Sequence, residues 1–319
     1  MQSGSKGYLG NRPLTTNITD ICAVVVTYNP NDSFKTNLVA LSRQISNIVI
    51  IDNASQSKGL DIVKRAAAAC NAHLIINTDN SGIAAALNQG VNYGIDNGFE
   101  WIATFDQDSS VTPNYFVDLL NVAKAVETVG KLALVAPYYA DETTGLFIRL
   151  ANKYHKSSDG VEFGIAVPAI TSGNLIPVRT FDIVGKFDEA LFIDHVDHDF
   201  CFRCAAQGLL VVEAKNVRLN HSIGRMVFYK TKFRKKPFAS ANHSAFRHYF
   251  IARNRLIIYQ KYFFKHPKWC LYDMKEFCKG LIVIALCEDN KANKLINTAR
   301  GLMHGLVRRT GRAPIDLAK

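Results

Sequence analysis

No stretch of this chain approaches the ~20 consecutive apolar residues that a membrane-spanning helix needs. The cleanest apolar run near its end, Leu281 to Cys287, is far shorter. Residues 1–20 are polar and lack the apolar core of a secretory signal. The seven cysteines are an odd number scattered mostly among apolar neighbours, which fits reduced thiols in a cytosolic protein better than a disulfide framework. Cys201-x-x-Cys204 has no second Cys pair to complete a zinc site and falls in an expected helix, so packed thiols are expected there. The glycine-rich dinucleotide fingerprint and the phosphate-binding loop are missing too. Acidic residues are scarce at one end: residues 225–319 hold 5 Asp and Glu against 21 Lys and Arg, while residues 1–224 hold 22 against 17. A basic tail behind a mildly acidic body excludes a uniform surface and points to a polyanionic neighbour, either nucleic acid or an anionic membrane.

What is present is an ordinary globular composition, 48% hydrophobic and 20% charged over 319 residues, enough for one large core plus an appendage. The most informative segment is Trp101-Ile102-Ala103-Thr104-Phe105-Asp106-Gln107-Asp108-Ser109-Ser110. A short apolar run, read as a buried strand, ends in two carboxylates one residue apart. Such oxygen ligands can share one divalent cation and leave it open to a phosphate. The competing reading is a polar turn.

The body alternates strands and helices. Strands are expected at Ile21 to Thr27, Asn47 to Ile51, His73 to Asn77 and Trp101 to Phe105, and helices at Ser33 to Ser46, Gly59 to Ala69, Ile83 to Gly94 and Tyr115 to Val129. This spacing implies an α/β fold, a mostly parallel Rossmann-like sheet with helices on both faces. Residues 1–19 read as a flexible segment, 20–224 as the nucleotide-binding and catalytic body, and 225–319 as a basic, mainly helical region. The ends of parallel strands share one side of the sheet, so Thr27-Tyr28-Asn29, Asp52, Asn80-Ser81-Gly82 and Asp106-Gln107-Asp108 should line one nucleotide-sized crevice. Without a glycine-rich turn, a diphosphate there must be held by a cation and by basic groups.

Six segments carry a resemblance to a known family. They are Val25-Val26-Thr27-Tyr28-Asn29-Pro30, Ile50-Ile51-Asp52-Asn53-Ala54-Ser55, Asn80-Ser81-Gly82-Ile83-Ala84, Phe105-Asp106-Gln107-Asp108-Ser109, Ile193-Asp194-His195-Val196-Asp197-His198-Asp199 and Asn220-His221-Ser222-Ile223-Gly224. With Arg247-His248-Tyr249-Phe250-Ile251-Ala252-Arg253-Asn254 they cover roughly residues 20–260. The chain resembles the family 2 glycosyltransferases of the GT-A fold, and its Asp-Gln-Asp-Ser form of the acidic motif resembles the bacterial rhamnosyltransferases among them.

The resemblance implies roles. Asp52 would accept the N3–H of a uracil or thymine base, against the alternative of capping the next turn. Thr27, Tyr28, Asn29, Asn80, Gly82 and Gln107 would shape the donor pocket, Gly82 also being readable as a plain turn glycine. Asp106 and Asp108, with His221, would hold Mg²⁺ or Mn²⁺. Counting back from Arg203 puts Asp197 on the position of the catalytic base, with Asp194 and Asp199 as competitors. Ser172, Gly173 and Asn174 resemble the acceptor-side loop. Arg247 and Arg253 lie six apart on a helix and so on different faces; only one can reach the diphosphate, and Arg253 is preferred. The implied reaction is inverting transfer of L-rhamnose from dTDP-β-L-rhamnose to a polyprenyl-diphosphate-linked saccharide at the inner face of the plasma membrane. Aromatics interleaved with Lys230, Lys232, Arg234, Lys235 and Lys236 then suggest an anionic membrane surface rather than nucleic acid as neighbour. The alternatives are a UDP-sugar donor on the same scaffold, or a non-catalytic binder.

Overall fold

A computed structural model describes residues 16–141, 145–221, 227–229, 238–240 and 242–314. The chain runs β1 (Ile21–Thr27), α1 (Ser33–Ser42), β2 (Ile48–Asp52), α2 (Ser57–Ala69), β3 (His73–Ile76), α3 (Ile83–Asp96), β4 (Trp101–Asp106), β5 (Ser109–Val111), α4 (Tyr115–Glu127) and β6 (Leu132–Asp141). There follow β7 (Leu146–Ile148), β8 (His155–Lys156), β9 (Glu162–Ile165), β10 (Asn174–Pro177), α5 (Val178–Val184), α6 (Val196–Ala206) and β11 (Leu210–His221). The tail holds β12 (Val227–Tyr229), β13 (Phe238–Ser240), α7 (Ala245–Tyr262), α8 (Pro267–Cys287) and α9 (Lys291–Leu306).

The main sheet has the order β3-β2-β1-β4-β10-β6-β11-β9-β8, with β5 on β11 and β7 on β6. Strands β1 to β4 are mutually parallel, as expected from the alternation of strands and helices. The sheet is mixed beyond them, because β10 enters antiparallel between β4 and β6. Strand β1 shows how two cores arise. Ile21, Ala23 and Val25 pack with Phe34, Leu38 and Val63 on one face, while Cys22, Val24 and Val26 pack with Leu87, Phe200 and Ile257 on the other. Alternating side chains of one buried strand thus hold helices on both faces. Cys201 and Cys204 are free and buried. Burial pushes the Cys204 thiol up to about 12, as suits packing rather than chemistry.

Helix α1 stops at Ser42, four residues earlier than its apolar pattern suggests, because Gln44 is drawn off to bond Thr112 and Tyr115 ahead of α4. The first tail helix belongs to the body's packing: Ile257, Ile258 and Tyr262 of α7 lie in the same cluster as Val24. Lys230, Lys232, Arg234, Lys235 and Lys236 lie outside the described residues. Among the described residues, no helix is long and apolar enough to cross a membrane.

Candidate active site

Parallel register does the gathering. Thr27 pairs with Asp52, Asp52 with Ile76, and Val26 with Asp106, so the polar ends of β1 to β4 meet along one edge. At the β1–β2 end the polar groups satisfy one another. The Thr27 hydroxyl donates to Asp52 Oδ1 at 2.9 Å, Ser55 Oγ donates to the same oxygen at 2.6 Å, and Ser55 N–H donates to Asp52 Oδ2 at 2.9 Å. Asp52 is fully buried. In this arrangement its carboxylate caps the turn after β2. Tyr28 N–H donates to Gln107 Oε1 at 2.8 Å, which ties β1 to the acidic loop, and Asn29 Oδ1 accepts from Gln56 N–H at 2.7 Å.

Asn53 had no separate role in the sequence reading, yet it organises the next stretch. Its Oδ1 accepts from Ser81 N–H at 3.0 Å and Ser81 Oγ at 3.1 Å, and its amide donates to Asn80 Oδ1 at 2.9 Å. The signal available was its place inside Asp52-Asn53-Ala54-Ser55, where a buried amide must find partners. Asn80 Oδ1 also accepts from Gly82 N–H at 2.9 Å. Gly82 has φ +87°, and a Cβ there would lie 2.5 Å from the Phe192 carbonyl oxygen. Glycine is required by both backbone angle and contact, so Gly82 seats the loop that leads to α6.

That loop is unusual. Phe192, Asp194 and His195 all have positive φ, at 66°, 65° and 63°, a conformation that costs non-glycine residues free energy unless their surroundings hold it. Asn254 supplies part of the hold, donating to the carbonyls of Leu191 and Ile193 at 2.7 Å each and of Asp194 at 3.0 Å. Arg253 supplies the rest, and this corrects the expectation for it. Its side chain is fully buried, and its guanidinium donates to the carbonyls of Leu191 at 2.9 Å and Gly311 at 2.6 Å. It has no free face for a diphosphate. Arg247 faces the crevice instead: it forks onto Asp194 with contacts of 3.0 to 3.3 Å and keeps 43% of its side chain exposed. Burial works against its charge, but Asp194, and beyond it Asp106 and Asp197, raise its pKa.

At the β4 end, carboxylates and a histidine converge. Ligand atoms of Asp106, Asp108 and His221 all lie within 4.8 Å of one another. His221 Nδ1 sits 3.3 Å from Asp108 Oδ1 and shares a hydrogen bond with Ser109 Oγ at 2.9 Å. Antiparallel pairing of β5 with the end of β11 sets His221 opposite Ser109 and so brings a residue 113 positions after Asp108 beside it. Burial pushes the Asp106 carboxyl up to about 6; His221 opposes this, while Asp108 and Asp197 add to it. Two carboxylates and an imidazole, crowded until the acid resists ionising, fit a divalent cation of the Mg²⁺ or Mn²⁺ kind, the nitrogen ligand favouring the latter.

Asp197 stands in the first turn of α6 and acts electrostatically on Asp106. Its Oδ1 accepts from His198 N–H at 2.8 Å and from His198 Nδ1 at 2.7 Å. Burial would raise its pKa, but the adjacent His198 outweighs burial and holds it below the ordinary carboxylate value. The competitors are committed elsewhere: Asp194 to Arg247, and Asp199 to Arg203, Lys261 and Tyr262.

The loop expected to face an acceptor lies underneath. Ser172 is fully buried; its hydroxyl accepts from Asp106 N–H at 3.0 Å and shares a hydrogen bond with Ser109 Oγ at 2.7 Å. Asn174 is buried opposite Thr104, and Gly173 donates to the Thr104 carbonyl and accepts from the Tyr115 hydroxyl. These residues prop the acidic motif from below because β10 runs antiparallel along β4.

Comparison with known proteins agrees with this geometry. The model of Glycosyl transferase family 2 matches residues 22–184. The chain is 30% identical over 293 residues to the dTDP-rhamnosyl transferase RfbF of Shigella flexneri, covering 87% of this chain and 91% of that protein. It is 19% identical to the low-salt glycan biosynthesis hexosyltransferase Agl10 of Haloferax volcanii, covering 93% and 94% of the two chains. Among solved structures, GalNAc-T7 with UDP, GalNAc and Mn²⁺ superposes with a TM-score of 0.55 at 11% identity, covering 90% of this chain and 56% of that longer one. The mannosyltransferase PcManGT of Pyrobaculum calidifontis, in complex with GDP-Man and Mn²⁺, gives 0.53 at 14% identity, covering 91% and 86%. At such identities the likeness carries the fold, which is GT-A. The chain is a glycosyltransferase and belongs to glycosyl transferase family 2.

Proposed function

We propose that the protein is an inverting, cation-dependent transferase that moves L-rhamnose from dTDP-β-L-rhamnose to a lipid-linked saccharide in bacterial cell-surface polysaccharide synthesis, working at the cytoplasmic face of an anionic membrane. The observation that carries the reading is the convergence of Asp106, Asp108 and His221 with Asp197 close by. The donor sugar is supported by the relative from Shigella flexneri, a dTDP-rhamnosyl transferase.

Asp106, Asp108 and His221 would hold Mg²⁺ or Mn²⁺. When bound, the cation neutralises charge on the departing diphosphate. Asp197, kept ionised by His198, accepts the proton of the acceptor hydroxyl as that oxygen bonds to the anomeric carbon. The bond from that carbon to the diphosphate oxygen breaks with its electron pair leaving on dTDP, so one displacement converts the β-linkage into an α-linkage. Arg247, once released from Asp194, supplies a second positive group for the diphosphate; this role passes to it from Arg253.

Thermal stabilisation tests the reading, because a ligand of the native state raises apparent stability by mass action. Selective stabilisation by dTDP-L-rhamnose that disappears with chelator is expected. Equal or greater stabilisation by UDP-glucose, UDP-galactose or UDP-N-acetylglucosamine would overturn the donor, and no response to any nucleotide sugar would overturn the transferase reading.

A further inference from the structure

Helix α9 is amphipathic the wrong way round for a helix docked on a protein body. Its buried residues are Lys294, Asn297, Thr298, Gly301 and Gly305, a polar and small-residue face turned to α7. The glycines are needed there, since a Cβ at Gly301 would lie 2.3 Å from the Tyr249 carbonyl oxygen and one at Gly305 2.6 Å from that of Arg253. Its apolar residues point outward: Ile296 is 51% exposed, Met303 57%, Leu306 65% and Val307 74%. At ~100° per residue these four span an arc of about 100° on the side opposite the buried face. A helix that buries its polar stripe and shows its apolar one is expected to have a second neighbour.

Helix α8 also shows apolar residues to the outside, though what it buries is apolar too. It buries Cys270 and Ile284 and shows Leu271, Ile282 and Leu286, with Phe264 almost fully exposed just before it. Exposed Lys268 and Lys275 share this outward face with the apolar side chains, and exposed Arg308, Arg309 and Arg312 follow the end of α9. The acids of these helices are largely neutralised: Asp273 by Arg255, Glu276 by Lys279 and Glu288 by Lys294.

We infer that the outward faces of α8 and α9 together dock the enzyme on an anionic lipid bilayer, apolar side chains entering the interface and the flanking cations pairing with headgroups. The charge selects this occupant. A second copy of the chain, meeting the same surface about a two-fold axis, would set basic residues against basic residues. The inference rests on the lipid-linked acceptor proposed above for its purpose, and it names a surface that meets the membrane, the helical faces of residues 264–312.

Flotation of the full chain with phosphatidylcholine vesicles, with and without phosphatidylglycerol, tests it. Binding is expected only to the anionic vesicles, weakening as salt rises. It should fall at least about tenfold in the triple variant Ile296→Glu, Met303→Glu, Leu306→Glu. These side chains are exposed, so cation-dependent stabilisation by dTDP-L-rhamnose should be unchanged in the variant. Absence of flotation in the parent chain, or equal flotation of parent and variant, overturns the inference. So does a parent dimer that the variant converts to monomer, which would assign the face to a second copy. Flotation without any response to a nucleotide sugar would sink the transferase reading and leave the docking surface standing; a nucleotide response without flotation would do the reverse.

Discussion

The two ends of the crevice are built on opposite principles. Around β1, β2 and the start of α3, every polar side chain that matters has a protein partner: Thr27 and Ser55 on Asp52, Asn53 on Ser81 and Asn80, Asn80 on Gly82. Around β4, β5, β11 and α6, negative groups crowd one another so closely that burial and neighbouring carboxylates push Asp106 up to about 6. The first end is a finished scaffold whose loss costs stability. The second is a set of close carboxylates answered by His221, His198 and Arg247 rather than tied into a neutral hydrogen-bond network, as an enzyme's reacting end should be.

That contrast sets what each substitution should do. The largest effect belongs to the acidic end: Asp108→Ala, or chelation of the parent enzyme, should lower turnover by about 10³-fold, several kcal/mol of lost charge stabilisation, while the melting temperature of the ligand-free protein holds. Turnover of rhamnose transfer with and without EDTA checks it. Arg247→Ala should raise the donor KM by roughly tenfold to a hundredfold, the worth of a charged hydrogen bond, whereas Arg253→Ala should leave the remaining folded enzyme's KM alone. Arg253→Ala acts on stability instead, by roughly 1–3 kcal/mol for the lost charged hydrogen bonds to the Leu191 and Gly311 carbonyls, read in urea denaturation. Gly82→Ala belongs with it at about 1–3 kcal/mol, from strain at positive φ and the contact with Phe192.

Asn53→Ala sharpens the comparison directly. It should cost about 1–3 kcal/mol of stability by leaving part-buried donors of Ser81 and Asn77 without their partner, with turnover per folded molecule little changed. Loss of turnover at full stability would break the division between scaffold and reacting end.

The smallest effect is on pH. Asp197 is held below the ordinary carboxylate value and His198 above the ordinary histidine value by their mutual pairing, despite burial of both. The pair is fully charged only between those two values. Its contribution therefore fades as pH falls through the first or rises through the second. At saturating cation, the acid limb of kcat should lie below the usual carboxylate range, and His198→Gln should move it to higher pH. A limb that does not move would remove His198 from the positioning of Asp197.

Much of this was legible in the sequence, for physical reasons. A continuous β-branched run for β1 and a short apolar run ending in carboxylates for β4 gave away these strands and the side of the sheet on which Thr27, Asp52, Gly82 and Asp106 would meet. His221 was placed by motif, and antiparallel pairing of β11 with β5 supplies the reason it arrives beside Asp108. Two positions differ from expectation where long-range packing decides. Helical periodicity separates Arg247 from Arg253 but cannot say which face turns inward, and the carbonyls of the 190–194 loop claim Arg253. Ser172 and Asn174, expected in a loop facing the acceptor, are buried because β10 lies along β4. Asp52 accepts from Ser55, three residues on, a local hydrogen bond of the kind a short polar side chain makes to a nearby turn, beside the base contact that the resemblance implies. The outward stripe of α9 is visible as a period, but its inversion shows only once α7 occupies the other face.

The central claim is that the acidic end separates into cation ligands and a base. Asp197→Asn, assayed for rhamnosyl transfer and for cation-dependent thermal stabilisation by dTDP-L-rhamnose, tests it most directly. The account predicts turnover lowered by about 10²- to 10⁴-fold with stabilisation unchanged; turnover retained, or stabilisation lost together with it, would contradict the assignment.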